Sequence, residues 1–145
     1  MKIGEMNKMK STENFSSITL TQIEDLFYPS GTRKFGGSTE ESDYDFLVPP
    51  NECMKAWDIL KGQETKREQY YSEEIYSYKF YTVDQPYPVN LIIFKDADNY
   101  NAWVFATDKM ENMFEHYQSD TMLINRKERH LLFQTFVRIY LDRLK

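Results

Sequence analysis

Three short stretches of this chain carry the hydrophobic pattern of strands, and four carry that of helices. Ile75–Val83 alternates well enough to be a strand, and Val89–Phe94 is a near-continuous apolar run. The turn Asp84-Gln-Pro-Tyr-Pro between them makes the pair a hairpin. Tyr44–Val48 is the third strand, stopped by Pro49-Pro50. Little room is left for another at Phe27–Ser30, where Pro29 restricts any strand to an edge or a distorted end. Residues 63–74 are charged and read as a loop or a weak strand.

The helical segments follow from caps and spacing. Thr19-Leu-Thr-Gln22 is a capping box, followed by Ile23, Leu26 and Phe27. Asn51 is the expected cap of a helix over Glu52–Lys61, with Met54, Trp57, Ile59 and Leu60 apolar and Gly62 as its stop. Asp98 is the expected cap of a third helix, which buries Trp103, Val104, Ala106, Met110, Met113 and Phe114. Asn125 would cap a last helix, with Leu131, Leu132, Phe136, Ile139 and Tyr140 near the core. The order predicts an α+β domain, a small mixed or antiparallel sheet packed by helices. Residues 1–16 are polar, with Lys2, Lys8 and Lys10, and read as a flexible N-terminal arm before a single domain over 17–145.

Composition narrows the class. A hydrophobic content of 41% and an aromatic content of 16% argue for a packed core and against disorder. Eleven Tyr and ten Phe favour strands. The formal charge of −5 gives no strong nucleic-acid signal, so a polyanion would need a local basic patch. One cysteine, Cys53, excludes an intrachain disulfide and cysteine-based metal sites. No stretch approaches the ~20 apolar residues of a membrane span, and no secretory signal is recognisable. The expected location is the cytoplasm.

Chemistry concentrates in residues 31–45. A glycine turn with a hydroxyl, Gly31-Thr32, precedes two acids, Asp43 and Asp45, which lead into Phe46-Leu47-Val48. Strand alternation places both carboxylates on one face, about 6–7 Å apart along the chain. Such a pair repels itself unless a cation sits between its members. Opposite a turn rich in backbone N–H groups, the cation that suits them is Mg2+ (or Mn2+) carrying a nucleoside triphosphate.

Gly31-Thr32-Arg33-Lys-Phe-Gly36 followed by Ser42-Asp43-Tyr44-Asp45-Phe46-Leu47-Val48 resembles the nucleotidyltransferase superfamily typified by DNA polymerase beta, in its minimal bacterial and phage-type members. Those commonly read Gly-Ser-Arg-x-x-Gly and then Ser-Asp-x-Asp-hydrophobic; threonine here keeps the hydroxyl. The run Ala102–Met110 and the spacing Arg126-x-x-Arg129-x-x-x-Phe133 also look like phage-encoded members. The resemblance implies a nucleotidyltransferase fold, with Asp43 and Asp45 as catalytic metal ligands. Gly31 and Thr32 would hold phosphate, and Arg33 would either add a contact or buttress the turn. Family members place a third carboxylate on a later strand, where this chain has Asn90. An amide cannot act as a base and brings no charge. Three readings stand: Asp84 or Asp96 supplies the acid, two carboxylates suffice, or nucleotide binding persists without turnover.

Among the basic residues, Arg126, Lys127, Arg129, Lys109 and Arg138 stand open between triphosphate contacts and a solvated helix face. His130 is a poor base candidate and His116 reads as solvent-facing. Trp103 reads as core, whereas Trp57, Tyr70, Tyr71, Tyr76, Tyr78 and Tyr81 divide between core and a base-stacking row. The expected activity is transfer of a nucleoside monophosphate from Mg-NTP to a hydroxyl of a small molecule, a protein or an RNA end. The alternative is a catalytically impaired nucleotide-binding or interaction protein on the same fold.

Overall fold

The computed structural model of the chain describes residues 18–35, 42–72, 74–117 and 126–145. The expected N-terminal arm, Gly36 and the Asn125 cap lie outside them, as do the side chains of Tyr70, Tyr71 and His116. In chain order the elements are α1 (Leu20–Glu24), β1 (Tyr28–Ser30), α2 (Thr32–Phe35) and β2 (Tyr44–Val48). A 3-10 turn (Pro50–Glu52), α3 (Cys53–Leu60), β3 (Lys66–Ser72) and β4 (Ile75–Phe80) follow. The chain closes with β5 (Val89–Phe94), α4 (Ala97–Tyr117) and α5 (Arg126–Arg143).

The five strands form one sheet in the order β1-β2-β5-β4-β3. The central pair β2/β5 is parallel, and each of the other three pairs is antiparallel. The protein is therefore α+β with a mixed sheet. All six residues of β5 are buried, as expected of a strand covered on both faces. One face packs Phe46, Val48, Phe80, Val89, Leu91 and Ile93 against α1 and α3. The other packs Leu47, Ile75, Ile92 and Phe94 against Trp103, Ala106, Met110 and Phe114 of α4 and Phe133 and Val137 of α5. No helix of the described residues is long and apolar enough to cross a membrane.

The capping box at Thr19/Gln22 forms as expected, and β1 is an edge strand that tolerates Pro29. Residues 66–72 do form a strand, at the opposite edge. Two caps differ from expectation. Asn51 falls inside the 3-10 turn, because the double proline starts a tight turn before α3 can begin. Asp96, rather than Asp98, caps α4: its Oδ1 accepts from the Asn99 N–H at 2.7 Å. The core face of α5 is also shifted. Leu131 is 60% and Ile139 37% exposed, whereas Phe133 and Val137 are buried, with Leu132, Phe136 and Tyr140 beside them. The hydrophobic residues of this helix nearly encircle it, so the sequence pattern does not single out one stripe.

Trp103 lies in the core, with edge contacts to Phe94 and Phe133. Trp57 is partly exposed and packs edge-on against Tyr78 at 5.1 Å, bracing α3 on β4.

Candidate functional site

Four polar residues stand side by side across the sheet. Ser30 of β1 is in register with Asp45 of β2, Asp45 with Asn90 of β5, and Asn90 with Lys79 of β4. Their common face follows from alternation. Leu47, Ile92 and Ile75 point toward α4 and α5, and so do residues an even number of positions away along each strand. Asp43, just before β2, falls on the same face. Its Oδ2 accepts from the Lys79 ammonium at 2.9 Å, with both side chains slightly more than a quarter exposed.

Asn90 is the lone polar residue of its buried strand, and it has a partner at each end of its amide. Ser77 Oγ donates to its Oδ1 at 2.6 Å, which turns the amide N–H group toward the Asp45 carboxylate. Asn90 thus stands where the resemblance expects a third acid. Asp84 and Asp96 do not. Asp84 is on the α1 side, where its carboxylate accepts from the Leu20 N–H, the main reason its pKa is low. Asp96 lies beyond the far end of β5, engaged as a helix cap.

Asp45 bears the electrostatic cost of this row. Burial, reinforced by the negative charge of Asp43, raises its carboxyl from the ordinary 3.8 to about 7. The Asn90 hydrogen bond and the charges of Lys79 and Arg126 pull the other way and do not cancel it. Some of the residue reaches the surface, yet so many protein atoms surround the carboxyl that burial dominates.

The glycine turn closes directly on this carboxylate. Gly31 has φ +73°, and a Cβ there would lie 2.2 Å from Asp45 Oδ2. Only glycine allows both the left-handed backbone and the approach. Arg33 buttresses the turn: its Nε donates to the Ser42 carbonyl at 2.9 Å and its guanidinium lies 3.9 Å above the Tyr44 ring. Beneath the turn, Thr107 Oγ1 donates to the Trp103 carbonyl and accepts from Ser30 Oγ at 2.7 Å, tying β1 to α4. Lys34 adds a surface ion pair to Glu111 at 3.3 Å.

Arg126 opens α5 close enough for its charge to act on Asp45, and Arg129 follows one turn later, half-buried. His130 is exposed on the same helix. Cys53 lies near the Phe94 carbonyl, at the opposite end of β5 from Asn90. The residue missed in the sequence is Lys79. Its signal is weak but present: it lies two positions after Ser77 in an alternating strand whose partner carries Asn90.

The donor set suits a hard divalent cation in part. Two carboxylates share a face, and Asp45 lacks enough positive charge nearby to ionise at its ordinary pH. Against this, Lys79 already holds Asp43, and no group of three or more His, Cys, Asp or Glu forms a metal-ligating cluster among the described residues. Asp43, Asp45 and the Asn90 carbonyl are the available ligands. Comparison with known protein families, curated proteins and solved structures finds no match to this chain.

Proposed function

We propose that the protein is a nucleotidyltransferase of the polymerase-beta type, with Asp43 and Asp45 holding Mg2+ or Mn2+ and the Gly31-Thr32 turn receiving the phosphates of an NTP. The observation that carries this reading is the contact between the turn and the acid. Because Gly31 closes on Asp45 Oδ2, a phosphate against the turn and a cation on the carboxylate would share one surface. The oxygen donor set and the need of Asp45 for positive charge support magnesium.

Bound metal would neutralise the charge that develops as the phosphoryl group transfers. The chain's own residues position the reactants. Asn90 orients the Asp45 carboxylate, Arg33 steadies the turn, and Arg126 adds positive charge beside the acids. The acceptor oxygen bonds to the α-phosphorus as the α–β bridge breaks and pyrophosphate leaves. Asn90 cannot take the acceptor's proton, which therefore passes to solvent or to the departing pyrophosphate.

Binding without turnover is the second reading, favoured by the replacement of the third acid by Asn90, its amide already engaged by Ser77 and Asp45. Incubation with labelled NTPs, Mg2+ or Mn2+ and varied hydroxyl acceptors separates the two. Transfer or pyrophosphate release that disappears in Asp43→Ala and Asp45→Ala supports the enzyme. Nucleotide-dependent thermal stabilisation without release supports the binding protein. If neither occurs, the metal–nucleotide reading fails.

A further inference from the structure

Lys79 occupies an unusual place for a surface lysine. It is the end of the polar row, in register with Asn90, and its ammonium lies on the Asp43 carboxylate that the proposed metal would need. A divalent cation and an ammonium cannot both hold the same edge of Asp43 without strong mutual repulsion. Slightly more than a quarter of each side chain is exposed, so water reaches and partly screens the pair, which leaves it exchangeable for a stronger one. Lysine suits such an exchange: its charge is compact, and its four-carbon stem can swing without moving the strand.

Charge balance supplies the other half. A nucleoside triphosphate brings about four negative charges and a magnesium ion two positive ones, so the complex arrives anionic. Arg33 contacts Ser42 and Tyr44, and Lys34 pairs with Glu111 of α4. Among the described residues, Lys79 and Arg126 are the leading cations whose charges act on Asp45.

We propose that Lys79 is a substrate-binding residue that alternates between two partners, Asp43 when the carboxylates hold no metal and the phosphate oxygens of a metal–triphosphate once they do. This rests on the metal–triphosphate reading of the same site. It makes the lysine a placeholder that holds Asp43 aimed, and then a phosphate ligand. The consequence is a pair of opposite effects that a merely structural lysine would not produce.

The test uses Mn2+ alone, followed by Mn2+ with inorganic tripolyphosphate, which needs no knowledge of the base. Free Mn2+ is followed by electron paramagnetic resonance and polyphosphate binding by calorimetry, with folding checked by circular dichroism. Lys79→Met is expected to bind Mn2+ roughly three- to tenfold tighter, because a competing charge has gone. The same variant is expected to bind tripolyphosphate, at saturating Mn2+, roughly three- to tenfold more weakly. Lys79→Arg, which keeps the charge, is expected to stay near wild type in the second measurement and guards against loss of fold in the first variant. Equal weakening of both affinities in Lys79→Met, or no change in either, overturns the proposal while leaving the site's metal reading intact. Absence of Mn2+ binding in wild type and Lys79→Met alike, or Mn2+ binding that Asp43→Ala leaves unchanged, overturns both.

Discussion

An aspartate that keeps its proton up to about pH 7 leaves a mark on stability. Unfolded, Asp45 ionises near 3.8; folded, near 7. Between those values the folded state binds the extra proton, so stability is greatest below about pH 4 with respect to this group and falls as pH rises through 7. The loss amounts to a few kcal/mol. Asp45→Asn removes the titration, so its urea midpoint in metal-free buffer is expected to fall less than that of wild type between pH 5 and 8. Parallel pH dependences would refute this account. Gly31 offers a second test at the same atom. Gly31→Ala is expected to cost roughly 2–4 kcal/mol, from the left-handed backbone and from the clash with Asp45 Oδ2. In an Asp45→Ala background the cost is expected to drop, because part of it lies in the removed carboxylate; strict additivity in the double-mutant cycle would show otherwise.

Elements were legible where pattern and punctuation agreed. Tyr44–Val48 and Val89–Phe94 match their expected bounds, since each apolar run ends at proline or charge. The α1 capping box was readable because both of its bonds are local. Asn90 as neighbour of Asp45 was anticipated only through the resemblance, which puts a third acid at that place on a later strand. Lys79 was not, because its role depends on the register of β4 against β5, which the hairpin signal alone does not fix. The orientation of α5 was equally hidden: it depends on the aromatic surface that α4 presents, where Trp103 meets Phe133 edge-on at 5.0 Å. Phe133→Ala is accordingly expected to cost about 3–5 kcal/mol, and Leu131→Ala, at a solvent-facing position, about 0.5 or less. Chemical denaturation of the two variants checks the assignment; a larger loss for Leu131→Ala would reverse the helix face.

At the scale of the whole molecule, ligand binding and protonation are linked. If Asp43 and Asp45 hold the metal, binding must expel the proton that Asp45 keeps below pH 7. At a hundredfold excess over Kd, Mn2+ is expected to add about 2.7 kcal/mol, roughly 5–10 °C in Tm, at pH 8, and distinctly less at pH 6. A thermal-shift series at the two pH values, with Asp43→Ala as control, reads this directly; a shift independent of pH would place the metal elsewhere. The register of β2 against β5 has a separate consequence. It is held by apolar contacts on both faces, from Phe46, Leu47 and Val48 on one strand and Leu91, Ile92 and Ile93 on the other. A slip of one residue would exchange Asp45 with Phe46 and wreck both cores. The polar row therefore borrows its alignment from its hydrophobic neighbours and contributes little to it. Asp45, Asn90 and Lys79 are guest positions on a scaffold that tolerates rewriting, and a triple replacement by small neutral residues is expected to leave amide-exchange protection along β2 and β5 in place. The same lattice of strands could then present other side chains for other chemistry, with the folding problem already solved.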